Sequence, residues 1–389
     1  MFRRNTFIVL ITVAITIILL SCSTTSQEDV TVQSSPTSLP STMIPSATSE
    51  PPTKIQPTIT LTSTPEVIEL NPSARGYVSM AYDSESGQVI LFGGQVGDIF
   101  TNLGNYNGET WAYDVATNEW KNMNPSDAPP PSSASSLVYD VESDRVILFG
   151  AARGVSPSRD TWAYDFNSNT WTKMAAQGPA LHLGSQMAYD VESDRIVLFG
   201  GYNPNRDEMF DDTRVYDYNT DTWTKVEPVA SPPGQNFECM TYDTKADRVI
   251  LWGGETGTGT SHPPKDPSVW AYDFNTNTWE QKVTSSSPSP RAYCALAYSD
   301  GADQIVMYGG TSLSSNEMWV YDYNVNLWTE LTPDVKPGEL SRHAFVYIPD
   351  LDEFILFGGQ LGREQFKYTN ATWIYDLKTD TWTETTRTE

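Results

Sequence analysis

Three observations predict an all-β fold, a six-bladed β-propeller with four antiparallel strands per blade. First, a tyrosine closing an apolar strand recurs six times, at Tyr82, Tyr139, Tyr189, Tyr242, Tyr298 and Tyr347. Each stands 11 residues before a glycine: Gly93, Gly150, Gly200, Gly253, Gly309 and Gly358. Second, Tyr113, Tyr164, Tyr216, Tyr272, Tyr321 and Tyr375 each stand seven residues before a tryptophan, at Trp120, Trp171, Trp223, Trp279, Trp328 and Trp382. Third, 12% aromatic residues and 25 glycines suit strands joined by tight turns.

The chain opens with Met1-Phe2-Arg3-Arg4, an apolar run from Phe7 to Leu20, and Ser21-Cys22. Basic residues, a short apolar run and a small residue make a secretory signal over residues 1–21. The run is shorter than the roughly 20 residues that a transmembrane helix needs. Leu19-Leu20-Ser21-Cys22 resembles the bacterial lipobox, which implies lipidation at Cys22 and an exported protein, periplasmic or on the cell surface, anchored to a bacterial membrane. An uncleaved anchor is the alternative, with the same topology.

Residues 22–65 read as a linker. From Ser23 to Pro65, 27 of 43 residues are Ser, Thr or Pro, too little apolar surface to offset the entropy of ordering. As a coil it spans on the order of 40 Å, enough to hold a folded head off a surface.

The six repeats, near residues 72–123, 132–174, 182–226, 235–282, 291–331 and 340–386, recur with a period of 49 to 57 residues. First strands are expected near 77–82, 134–139, 184–189, 237–242, 293–298 and 342–347. An apolar strand closing in Gly-Gly, then Tyr, then Trp resembles the kelch repeat, whose units run to about 50 residues. The resemblance covers the whole folded part, residues 66–389. Two units depart from it: Ala151 replaces the second glycine, and Arg214 stands where the others carry a Trp. No unit is large enough to bury its own faces, so stacking the blades, a to d in each, around an axis is what makes a core.

Asn167-Ser168-Asn169, Asn219-Thr220-Asp221 and Asn275-Thr276-Asn277 supply residues that tolerate left-handed turn backbone. The aspartates after the third-strand tyrosines recur in every unit (Asp114, Asp165, Asp217, Asp273, Asp322 and Asp376), which favours turn capping over calcium. Glu66 to Pro72 resembles Trp328 to Pro333, the outer strand before a new blade. Pairing of the former with Thr381 to Thr386 is expected to close the ring.

Only one connection varies in length. The a–b and c–d turns are constant, and the Trp-to-Tyr spacing across d–a is 18 or 19, but Gly to Tyr across b–c takes 20, 14, 16, 19, 12 and 17. Insertions on one face mark the binding face of a repeat protein. There the candidates are Arg75, Tyr77, His182, Phe237, Arg291, Tyr293, Arg342 and His343 at the entries to first strands, and Gln95, Tyr202, Glu255 and Gln360 after the glycines. Arg, aromatic and carboxylate groups around a pocket suit a sugar or an acidic peptide. The competing reading pairs Arg75 and Arg291 with loop carboxylates of their own chain.

The chain carries 24 Lys+Arg against 49 Asp+Glu, a net charge of −25, which repels nucleic acid. Loss of Arg3 and Arg4 with the leader leaves 22 against 49, or −27. Membrane contact is expected only through the lipidated N-terminus, and the protein is expected to be a monomer. His182, His262 and His343 fall in different repeats without metal-ligand spacing, and no cofactor is called for. The function expected is a surface-tethered module binding a glycan or a protein. The alternative is an exported sugar-processing enzyme, similar to the kelch-type sialic acid mutarotases or to galactose oxidase, whose copper site finds no match here. Cys239 and Cys294, on neighbouring first strands, either face each other as a disulfide or remain buried thiols.

Overall fold

The computed structural model describes residues 70–385 apart from 98–104, 151, 154–155, 181, 258–266, 312–315 and 363–366. The leader, Cys22, the linker, residues 66–69, Ala151 and His262 lie outside the described residues. Within them there is no helix, and six four-stranded antiparallel sheets follow in chain order, each a meander a-b-c-d. The first strands are Ser79–Asp83, Ser136–Asp140, Gln186–Asp190, Cys239–Asp243, Ala295–Ser299 and Ala344–Ile348.

Each starts about two residues later than the sequence pattern suggests. The reason is a left-handed residue at the same place in all six repeats: Tyr77, Ala134, Gly184, Phe237, Tyr293 and Arg342 have φ between 52° and 72°. A positive φ breaks the pleat, so the strand begins beyond it.

The second strands read as unbroken apolar runs because neighbouring sheets cover both of their faces. Val89, Ile90, Leu91 and Phe92 are fully buried. The fourth strands are outermost, and Glu119–Asn122 buries only Trp120. Six apolar cores result, each shared by two consecutive sheets, and one of them joins the first sheet to the last. There Val78, Met80, Val89 and Leu91 pack with Ala344, Ile355 and Phe357.

The repeated aromatics are tied down by their polar tips. Each third-strand tyrosine donates to the left-handed residue five positions on, as Tyr113 does to Asn118 and Tyr216 to Asp221, at 2.8–2.9 Å in all six repeats. The aspartate after that tyrosine accepts backbone N–H groups of its own turn, as Asp114 does from Ala116 and Thr117. These aspartates are turn caps in every repeat. First-strand tyrosines repeat the device: Tyr139, Tyr189, Tyr242, Tyr298 and Tyr347 donate to Asp144, Asp194, Asp247, Asp303 and Asp352. In the first repeat Gly87 takes the turn position, and Tyr82 donates to Asp350 of the sixth instead.

Tryptophans join neighbouring sheets. The indole N–H of Trp171, Trp223 and Trp279 donates to Thr110, Thr161 and Thr213 of the preceding sheet, and Trp120 donates to Thr372 of the last. Cys239 and Cys294 form a disulfide between the fourth and fifth sheets, with Cα atoms 5.8 Å apart, inside the ordinary range for the bond.

Candidate functional site

The six left-handed residues sit where the first strands converge. Their backbones are joined in series: Ala134 N–H donates to Tyr77, Tyr77 to Arg342, Arg342 to Tyr293, Tyr293 to Phe237 and Phe237 to Gly184, at 2.8–3.0 Å. On this frame four large side chains meet. Phe237 and Tyr293 stack with centroids 4.3 Å apart, and Tyr77 meets Tyr293 edge-on at 5.8 Å. The Arg342 guanidinium lies over Tyr293 at 4.1 Å and Tyr77 at 4.9 Å, a cation–π arrangement. Phe237 also covers Gly184, where an added Cβ would come within 2.6 Å of its ring.

Two polar groups complete the cluster. Arg342 Nη1 donates to Gln360 Oε1 at 2.9 Å, and the Tyr293 hydroxyl donates to Glu255 at 3.3 Å. Burial, with the Glu255 carboxylate nearby, pushes the Tyr293 phenol well above its ordinary value. Burial lowers the Arg342 guanidinium, but Tyr77 and Tyr293 outweigh it and leave the group raised.

Six of the twelve sequence candidates are thus brought together: Tyr77, Phe237, Glu255, Tyr293, Arg342 and Gln360. The other six are placed differently. Arg75 and Arg291 are fully buried and bonded alike. Arg75 holds Ser73, the Gly93 carbonyl and Glu109, and Arg291 holds Ser289, the Gly309 carbonyl and Glu317. They pin the entry of a first strand to its own b–c connection, the competing reading of these arginines, and offer a ligand no free surface. His182 does the same in the third repeat, bonding Ala180 and Asp212 and stacking on Phe210 at 4.1 Å. Despite burial, His182 and Arg214 hold the Asp212 carboxyl down at about 2.

That pin also explains Arg214. Trp111 and Trp319 donate their indole N–H to Glu109 and Glu317, and Arg214 Nε donates to Asp212 at 2.6 Å. The position needs an N–H aimed at the pin carboxylate, and arginine supplies one. Gln95 serves in a backbone ribbon with Gly76, and Tyr202 donates to Asp207 on its own loop. His343 is buried beside Tyr308, with neither ring nitrogen hydrogen-bonded, and burial pulls it down to about 3.

Below the cluster lies a cavity of about 160 Å³ lined by all six first strands. Glu238 faces it, 2% exposed, and among the described residues its carboxylate has no side-chain partner, only the backbone of Gln186 and of Glu238 itself. Burial drives its carboxyl well above the ordinary range. Sequence reasoning passed over Glu238, although four residues before the tyrosine the other repeats carry Val78, Ser135, Ser185, Cys294 and His343.

The comparisons agree with this architecture. The model of the family described as the KLHDC2/KLHL20/DRC7 Kelch-repeats domain matches residues 58–246 and 238–389. The chain belongs to the kelch-repeat family, and its sheets are those of a kelch β-propeller. It is similar to the Rab9 effector protein with kelch motifs of Mus musculus, 25% identical over 177 residues, 43% of this chain and 45% of that one. It is also similar to the N-(sulfonatooxy)prop-2-enimidothioate sulfolyase of Thlaspi arvense, 24% identical over 169 residues, 42% of this chain and 48% of that one. The matches therefore span a little under half the length of each relative.

Proposed function

We propose that the six sheets are the blades of one closed ring, and that this ring is a protein-interaction module. It works outside the cytoplasmic membrane, held by lipidated Cys22 and the linker, as a monomer that engages one partner through the face of the b–c connections. The observation that carries the reading is the identity of the left-handed residues. Glycine meets that backbone without strain, and Gly184 shows it. Tyr77, Phe237, Tyr293 and Arg342 occupy the same conformation at a cost of order 1–3 kcal/mol each. Ala134 accepts the same cost, but four of the five non-glycine residues carry large side chains at one spot, beneath the connection that varies most in length, which supports a binding role for those side chains. Membership of the kelch family favours a protein partner over a glycan, and the −25 charge favours one that is not strongly acidic.

Because Arg291 is buried in its pin, the informative substitutions are Phe237→Gly and Tyr293→Gly. With the whole chain on arrays of surface proteins and of glycans, the parent should bind protein, and the double variant should lose that binding while its melting temperature holds or rises. Retained binding in the double variant overturns the site, and capture by glycans alone overturns the partner class.

A second reading, an exported enzyme, draws on Glu238. A buried carboxyl facing a cavity, with its pKa raised, is the equipment of an acid or base, and one relative is named as a sulfolyase. Turnover lost in Glu238→Gln with partner binding intact would favour it.

A further inference from the structure

The opposite end of the axis carries a second, differently built cavity. The side chains two residues before the first-strand tyrosines, Met80, Leu137, Met187, Met240, Leu296 and Phe345, line both axial cavities, so they form a collar between them. Beyond the collar a funnel of about 350 Å³ opens on the face of the a–b turns, walled by the six first-strand tyrosines. This is the face whose loops never change length, and the sequence gives no reason to look there. Its volume lies within the roughly 300–1,000 Å³ of small-molecule sites. At the mouth Val141 and Val191 are 49% and 48% exposed.

The funnel is apolar inside and negative outside. Asp300 stands on its wall, and the tyrosine hydroxyls are occupied by the turn aspartates. A second row, Asp83, Asp140, Asp190 and Asp243, lies behind them, 2% exposed. Burial first, then a neighbouring carboxylate (Asp194 beside Asp140, Asp247 beside Asp190, Asp303 beside Asp243), raises Asp140, Asp190 and Asp243. The arginines of this face are already spoken for, since Arg145, Arg195 and Arg248 each lie between two aspartates.

We propose that this funnel binds a small organic cation, an ammonium carried on one ring-sized apolar group. The ring would displace water from the Met, Leu and Phe collar, the tyrosine faces would meet the cationic end, and the carboxylate row would supply the countercharge. A folded peptide segment is too large for the volume, and an anion is repelled.

The test uses the purified full chain and calorimetric titration with 4-phenylbutylammonium, 4-phenylbutanol and 4-phenylbutyrate. The ammonium should bind at least about tenfold tighter than the alcohol, a difference near 1.4 kcal/mol. The carboxylate should bind weakest, and salt should erase the preference. Val141→Lys with Val191→Lys, both at exposed positions, should weaken ammonium binding about tenfold with no change in melting temperature. Leu296→Trp should block all three probes, with folding checked by near-ultraviolet circular dichroism. Equal affinity for the three probes, no binding of any, or ammonium binding untouched by the double lysine variant would each overturn the assignment.

Discussion

The ring has two kinds of junction between sheets. At four junctions (sixth to first, first to second, second to third, third to fourth) a tryptophan N–H meets a threonine hydroxyl across the interface. At the fourth-to-fifth and fifth-to-sixth junctions Trp328 and Trp382 find no such acceptor and their N–H groups are buried without a partner. The cause is one position: Thr110, Thr161, Thr213 and Thr372 are replaced there by Val269 and Met318. Larger aromatics stand opposite as well, Trp252 against Trp328 and Tyr308 against Trp382, where other junctions use phenylalanine. The fourth-to-fifth junction adds the disulfide, and the fifth-to-sixth adds none. Identical repeats are thus held by non-identical means, and apolar burial common to all six carries the fold.

The disulfide should give the largest effect that tests this contrast. Cys239→Ser with Cys294→Ser should cost roughly 2–5 kcal/mol in urea unfolding, and reductant should do the same to the parent alone. If the loss is near zero, the fourth-to-fifth junction is held by packing like the rest.

Next comes Glu238, packed against Gly200 at the third-to-fourth junction, where an added Cβ on the glycine would lie 2.8 Å from its carboxylate oxygen. Its folded pKa is raised, so the group favours folding below its unfolded pKa and opposes it as pH rises beyond. Glu238→Gln should stabilise the protein at neutral pH by at least about 1–3 kcal/mol. That gain should vanish below about pH 4, near the ordinary glutamate value, as thermal melts across pH would show.

His343, at the fifth-to-sixth junction, titrates in the opposite sense. With a folded value of about 3 against about 6.5 unfolded, the unfolded chain takes up the proton first. Stability should therefore fall by up to about 1.4 kcal/mol per pH unit between these values, and His343→Leu should remove that share of the slope. The threonine column comes last, and its gain-of-bond variant has the smallest effect. Thr110→Val should cost about 1–3 kcal/mol by orphaning Trp171, and Val269→Thr should return about 0.5–1.5 by giving Trp328 an acceptor.

Much of this was legible from spacing. The constant 11 and 7 intervals identify the repeats, because a tyrosine, its turn residue and a buried strand must keep fixed distances along the chain. The turn-capping role of the aspartates could be read the same way. Spacing alone does not show where a side chain ends. Arg75 and Arg342 stand two residues apart in the repeat pattern, yet one is a pin and the other lies over two tyrosines. The left-handed backbone of Arg342 itself turns its side chain out of the alternation that a strand would give. Glu238 escaped for a related reason, since at that position the repeats share a location but no residue type common to all.

One consequence of this backbone series concerns the order in which the molecule is made. Tyr77 donates to Arg342, Gly359 donates to Arg75, and Trp120 reaches Thr372, so the first sheet obtains its second neighbour only from the last repeat. During synthesis from the N-terminus, one flank of that sheet stays bare until nearly the whole chain has been translated. Pairs elsewhere in the series join within some fifty residues, whereas this one waits for more than two hundred and fifty. Closing so long a loop adds little entropy beyond a short one, because the penalty grows only logarithmically. The delay is kinetic, and the exposed flank is where a growing chain of this kind is open to chaperones or to its own copies.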